Sequence, residues 1–369
     1  MNKSASNPPV RLLLGPGPSM VDPLVLEALI APPVGHLDPY LLERYTEEQD
    51  LLRKVFQTRN EWTFSISGTG TSGMEAVLVN LVEPGDAVLC AIQGYFGERL
   101  ADIATRCGAL VDRISRPWGE IFSLEEIENV LKQKPYKLLT IVHAETSTGA
   151  LQLNIKEIAD AAHQHGALLV LDTVTSLGGV EVKVDDWGVD AAYSASQKCL
   201  SAPSGLSPLT IGSRARLAIQ ERTKPVASFY LDLDLYANYW NGAHAYHHTA
   251  SASLHYALIK ALQLALKEGL EARFARHRSN AELLWQGLED LGLPPLVPLE
   301  YRLPVLTTPR LPEGLDEAAI RSRLLAEHDI EIAGGFGELK GKVWRIGLMG
   351  YSSQPQNITR LLDTLLLLL

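Results

Sequence analysis

Cysteine is scarce. Only Cys90, Cys107 and Cys199 occur in 369 residues, at spacings that suit neither pairing nor metal ligation. That excludes a disulfide framework and leads us to expect a reduced, cytoplasmic setting without a bound metal. Long apolar runs are missing too. Nothing approaches the roughly 18 residues a membrane helix needs, and the terminal Leu365–Leu369 stretch is far too short. The opening Met1 to Pro9 is polar and lacks the apolar centre of a signal peptide. Positive charge is in deficit, with 33 Lys and Arg against 43 Asp and Glu and a net charge of -10. No segment concentrates cations, so a nucleic-acid or anionic-membrane surface is excluded as the main partner, while local pockets for small anions are not.

What is present has the look of an enzyme with one large and one smaller domain, since 369 residues exceed what one core usually serves. Between about residues 60 and 215, short apolar runs alternate with helical patterns, the signature of a parallel sheet covered on both faces. Strands are expected at Thr63–Ser67, Ala87–Ala91, Leu138–His143, Ala167–Leu171 and Ala191–Ser194. Helices are expected at Thr71–Val82, Gly97–Cys107, Leu124–Lys132 and Ile155–His165, where apolar residues recur at spacings of three and four. A long helical stretch from His255 to about Leu291, interrupted at Gly269, bridges to a small α+β region. That region has strands near Arg302–Thr307 and Val343–Leu348, and helices near Glu317–His328 and Asn357–Leu369.

Four segments carry chemistry. Ser67-Gly68-Thr69-Gly70-Thr71-Ser72-Gly73 lies between a strand and a helix, where free N–H groups, hydroxyls and the helix dipole favour a phosphate. An ordinary Ser/Thr cap reads equally well there. Asp172 ends an apolar strand at the sheet edge where α/β proteins bind ligands, although an Asp that caps the next turn is commoner. Lys198 follows the small-residue strand and precedes the turn-rich Ser201-Ala202-Pro203-Ser204-Gly205, a crowded setting that would lower an amine pKa. A surface lysine is the plain alternative. Arg345 sits in the apolar Val343–Leu348 strand, needing either a substrate carboxylate or an internal acid as partner. The first three features share one sheet edge, and pyridoxal phosphate requires all three: an anion site for its phosphate, an acid for its ring nitrogen and a lysine for its aldehyde. Tyr246-His247-His248-Thr249 suits hydrogen bonding better than metal binding, and His143, His163 and His165 read as structural.

With these motifs in place, the sequence resembles the class V pyridoxal-phosphate aminotransferases, in particular the alanine–glyoxylate and serine–pyruvate aminotransferases. The similarity is carried by Leu12–Ser19, Phe56-Gln57-Thr58-Arg59-Asn60, the Ser67–Ala76 segment, His143–Gly149, Ser196-Gln197-Lys198-Cys199-Leu200, Tyr246–Thr249 and Trp344-Arg345-Ile346-Gly347. The resemblance implies the type I aminotransferase fold and a homodimer with shared active sites. It divides the chain into an N-terminal arm (1–18) that wraps the other subunit, a large cofactor domain (19–265) and a small C-terminal domain (266–369). It makes Lys198 the Schiff-base lysine and proton shuttle, with Asp172 on the pyridine nitrogen. Thr69, Gly70, Thr71 and Gln197 would hold the phosphate, joined by Tyr246 and Thr249 from the partner subunit. Thr146 would reach the ring hydroxyl, Val174 would pack on one ring face, Gly17 would line the substrate pocket and Arg345 would clamp the substrate carboxylate.

Phe96 stands where the family often stacks a tryptophan, and Thr71 where some relatives have a histidine. The implied reaction passes the amino group of alanine or serine to glyoxylate. A desulfurase of the same class is the nearest alternative, but it needs a mobile-loop cysteine, and none follows Cys199. Another donor, such as ureidoglycine or phosphoserine, and a cofactor-free binding subunit are the remaining alternatives. The final leucines carry no peroxisomal address.

Overall fold

The structure is a computed structural model that describes residues 8–241 and 244–369; the first seven residues of the expected arm lie outside the described residues. Its centre is a seven-stranded sheet of β1 (Trp62–Ser67), β2 (Ala87–Ile92), β3 (Leu110–Ser115), β4 (Leu138–Val142), β5 (Leu168–Asp172), β6 (Ala191–Tyr193) and β7 (Leu206–Ile211). In space the order is β1-β7-β6-β5-β4-β2-β3, and every strand but β7 runs the same way. Strand periodicity sends alternate side chains to opposite faces. Thus Val88, Cys90 and Ile92 enter one buried cluster while Leu89 and Ala91 enter the other. Both faces are covered, which is why these strands read as unbroken apolar runs.

Two strands escape that signal. β3 lies at the edge and is partly exposed, and its Asp112 and Arg113 pair with Lys134 and Glu98. Charge on an edge strand blocks further pairing and also erases the apolar pattern. β7 contains Pro208, which argues against a strand interior. The structure accommodates it opposite Ser65, with the Pro208 carbonyl still accepting the Ser194 N–H at 2.7 Å. The expected parallel sheet is therefore interrupted by one antiparallel strand.

A helix follows every parallel strand but β6, which leads straight into the reversed β7, because a parallel crossover must return over the sheet face. The expected helices form within two residues of their anticipated ends, at Gly70–Leu81, Tyr95–Arg106, Leu124–Leu131 and Ile155–Gln164. An 18-residue helix at Pro39–Phe56 was not anticipated, although Asp38 caps it and Pro39 opens it. The long stretch is two helices, Ala252–Glu268 and Leu270–Asp290, parted at Gly269 (φ +86°). Ala257, Leu258 and Leu262 of the first pack into the large core, whereas Leu284 and Leu288 of the second join the small-domain core. In that small region Leu306–Thr307 of the expected Arg302–Thr307 strand pair with Ile346–Gly347 and Arg302 makes an isolated bridge to Ala150, because a turn at Pro304–Val305 breaks the run between them. Leu12–Leu13 run parallel to Ile330–Glu331, so the segment expected to reach another subunit is anchored to its own chain here.

Candidate active site

The parallel strands and the reversed β7 bring their loops to one sheet edge. There Thr69, Gly70, Thr71, Met74, Phe96, Arg99, Asp172, Val174, Gln197 and Lys198 enclose a cavity of about 140 Å³. Eight of these are residues the sequence singled out; Met74 and Arg99 are not.

At one end, Thr69 caps the Gly70–Leu81 helix without a side-chain hydrogen bond, so the first N–H groups face the cavity with the helix dipole behind them. The Gln197 side-chain oxygen is buried without a partner. Along one wall, Asp172 closes β5. Its Oδ1 accepts the Val174 N–H at 2.8 Å and its Oδ2 accepts the Tyr193 hydroxyl at 2.8 Å. Burial pushes its carboxyl up to about 6 against these bonds, and the positive charges of Lys198 and Arg99 oppose the rise. Tyr193, the one polar side chain in β6, thus sets the acid's orientation, and its place in an otherwise alanine strand was the available signal.

Lys198 lies opposite. Its amine donates to the Pro16 carbonyl. Burial lowers its pKa to about 8, with the Arg345 charge pushing the same way and Cys199 and Asp172 opposing. The Pro16-Gly17 turn presses directly on it. Gly17 has φ +106°, and a Cβ there would lie 2.8 Å from Lys198 Nζ, so only glycine leaves the amine its place.

Phe96 forms the aromatic wall at the start of the Tyr95–Arg106 helix, and that helix is capped from outside. Ser147 Oγ accepts the Tyr95 N–H at 3.0 Å and Glu145 Oε2 accepts the Phe96 N–H at 3.2 Å. Gly94 permits this approach, since a Cβ there would sit 2.4 Å from Glu145 Cγ. Glu145 is fully buried, and burial raises its carboxyl to about 7 although Ser147 also donates two hydrogen bonds to it. Its signal was an acid three residues after the apolar Leu138–Val142 run.

Other expected residues are placed apart. Thr146 is buried with its hydroxyl on Thr175 and does not line the cavity. Tyr246 is 61% exposed and Thr249 is exposed as well, while His247 and His248 between them turn inward, bonding the Phe229 carbonyl (3.1 Å) and Ser67 Oγ (2.7 Å). Arg345 is buried beside the site. Its Nε donates to the Gly334 carbonyl at 2.8 Å and its guanidinium lies 3.7 Å from the Phe336 ring centre. Burial lowers its pKa to about 10 while the charge of the buried Glu145 opposes the fall, and among the described residues it forms no ion pair within 4.0 Å.

A profile of the family described as Aminotransferase class-V matches residues 27–338. The chain belongs to the class-V aminotransferases. It is therefore a pyridoxal-phosphate-dependent aminotransferase. It is 40% identical to the (S)-ureidoglycine–glyoxylate transaminase of Bacillus subtilis over 95% of this chain and 88% of that one. It is also 40% identical to the alanine–glyoxylate aminotransferase of Mus musculus, over 97% and 87%. A crystal structure of alanine–glyoxylate aminotransferase from Nostoc sp. superposes with a TM-score of 0.98 at 51% identity, over 100% of this chain and 97% of that one. The fold expected from the resemblance, the type I aminotransferase fold, is the one observed.

Proposed function

We propose that this aminotransferase moves the amino group of a small amino acid, alanine or serine, to glyoxylate, forming glycine and a 2-oxo acid. The observation that carries the chemistry is the meeting of Lys198, Asp172 and the Thr69–Thr71 helix start around one cavity. The choice of substrates is supported by the two glyoxylate-using relatives.

The residues fit the cofactor by their own state. Gln197 lines the cavity with a side-chain amide that could turn its NH2 group to an anion, the helix start offers N–H donors, and Asp172 keeps an acid against the cavity wall. When bound, pyridoxal phosphate supplies a conjugated ring that stabilises negative charge developing at the substrate's Cα. In this reading Thr69, Gly70, Thr71 and Gln197 hold its phosphate, and Asp172 keeps its ring nitrogen protonated. Phe96 and Val174 flank the ring, and Thr146 would reach the ring hydroxyl side, although its own hydroxyl is here on Thr175. Lys198 would hold the cofactor at its aldehyde end and, as a free amine, would carry the proton to and from the donor's Cα, a task its lowered pKa suits because general bases work best near ambient pH. Arg345 holds the substrate carboxylate through its free nitrogens, and Gly17 keeps the pocket beside Lys198 narrow. The chain acts as a homodimer in which Tyr246 and Thr249 complete the partner's phosphate site, a role their exposure supports.

The Bacillus relative supports a second reading in which ureidoglycine is the donor. The visible spectrum separates them. The holoenzyme band should bleach with L-alanine or L-serine and return with glyoxylate, and Lys198→Ala should lack it. Bleaching by ureidoglycine alone selects the second donor, and a band indifferent to all three removes glyoxylate transamination. Uptake of cofactor by the apoenzyme should accelerate with pH through about 8 and then level, because the neutral Lys198 amine is the reacting form.

A further inference from the structure

We propose that Arg99, which the sequence reading passed over, is the cationic ligand of the cofactor's phosphate. The inference rests on the cofactor reading above. Arg99 lies one helical turn beyond Phe96, on the same face of the Tyr95–Arg106 helix. That helix is fixed at its start by Glu145 and Ser147, so the position of Arg99 is set from outside its own element. Its guanidinium rests over the rings of Phe96 (4.9 Å) and Tyr95 (5.2 Å), and its Nη1 donates to Thr71 Oγ1 at 3.2 Å. Thr71 belongs to the helix start that would bind the phosphate.

Charge balance points the same way. A phosphate monoester carries close to two negative charges at neutral pH. The cavity is lined by two cations, Arg99 and Lys198. Lys198 is turned to Pro16 and committed to the aldehyde, which leaves Arg99 to face the phosphate. Among the described residues Arg99 forms no ion pair, and its one side-chain bond is to a neutral hydroxyl, so most of its five donors are free. Aromatic rings on its flank and a hydroxyl at its tip hold a guanidinium without neutralising it, and a planar fork then fits a phosphate with two oxygens. The same contact accounts for a threonine at position 71. Its hydroxyl can accept from Arg99 and donate to the anion at once, so the pair supplies the charge that a histidine at that place could offer.

The test compares cofactors with and without the phosphate. Apoenzyme is titrated with pyridoxal phosphate and with pyridoxal, following the visible band and intrinsic fluorescence. Arg99→Gln should raise the Kd of pyridoxal phosphate about ten- to a hundredfold, as loss of a charged hydrogen-bonding partner does, and change that of pyridoxal less than about twofold. Arg99→Lys should fall between wild type and Arg99→Gln. Inorganic phosphate should compete with pyridoxal phosphate in the wild type and lose potency in step in the variants. Equal weakening of both cofactors would mean that Arg99 only props Phe96, and an unchanged pyridoxal phosphate Kd would show that the phosphate does not meet it; either overturns the assignment. If Arg99→Gln does not fold, Arg99→Lys against wild type decides it by the same ratio. A wild-type protein without a Lys198-dependent band would instead sink the underlying cofactor reading.

Discussion

Two groups of arginines lie in this molecule at similar burial and in opposite conditions. Behind the Lys198 loop, Arg273 is spent: its Nη1 meets Glu268 at 2.7 Å, its Nε the Gly178 carbonyl at 2.8 Å and its Nη2 the Cys199 carbonyl at 2.6 Å. Arg276 beside it divides its donors between Glu268 and the Gly350 and Ser353 carbonyls. In front of the loop, Arg345 has one carbonyl and one ring, and Arg99 one hydroxyl and two rings. A buried guanidinium is costly unless its donors are met. The rear pair is satisfied by the chain itself and so holds the fold, whereas the front pair keeps donors unmet, Arg99 on the cavity wall and Arg345 buried close enough for its charge to act on Lys198.

That contrast predicts separable consequences. Arg345→Met should lower kcat/KM for the amino donor about 10³-fold, the worth of two charged hydrogen bonds to a carboxylate, while the melting temperature of the holoenzyme stays near the wild type. Arg345→Lys should recover part of the rate but not all, because an ammonium cannot offer the fork. A melting temperature that falls with the rate would mean that Arg345 is structural after all.

Arg273→Met should do the reverse. It strips Glu268 of one cation and leaves the Gly178 and Cys199 carbonyls unmet, so unfolding free energy should fall by about 3 kcal/mol. Chemical denaturation of the cofactor-free protein measures this without the stabilisation that bound cofactor adds. The donor KM in whatever holoenzyme survives should be little altered. A stable Arg273→Met protein with impaired donor binding would break the distinction from the other side.

The sequence exposed one side of this contrast more readily than the other. Arg345 was visible because it interrupts an apolar strand, and the strand-end Asp172 and post-strand Lys198 because sheet geometry gathers strand ends. The paired or free state of an arginine was not visible, since Glu268 lies five residues from Arg273 while the carbonyls it holds come from residues 178 and 199. Long-range partnership leaves no periodic trace. Arg99 was lost for a related reason: on an amphipathic helix an arginine reads as solvated, and only the placement of Phe96 over the cavity turns that face inward. Tyr246 and Thr249 stand differently again. Their motif suggested a site residue, yet within one chain they are exposed, and only the proposed homodimer would give them a site to complete.

The smallest expected effect sharpens the comparison by holding the pairing constant and changing only the burial. Arg323 and Glu327 face each other one turn apart on the Glu317–His328 helix in a two-pronged ion pair, with Nε and Nη2 at 3.0 and 3.2 Å from the carboxylate oxygens. By geometry this rivals the Arg276–Glu268 contact. Half of each side chain is exposed, however, so water screens the attraction and would solvate either charge left alone. Arg323→Ala also places the best helix former in a helix interior, which offsets what the pair supplied. Its melting temperature should match the wild type within error, at low and at high salt alike. If Arg323→Ala instead destabilised the protein as Arg273→Met is expected to do, bond geometry and not burial would set what an arginine's pairing is worth, and the unmet donors of the front pair would no longer mark it as a place for ligands.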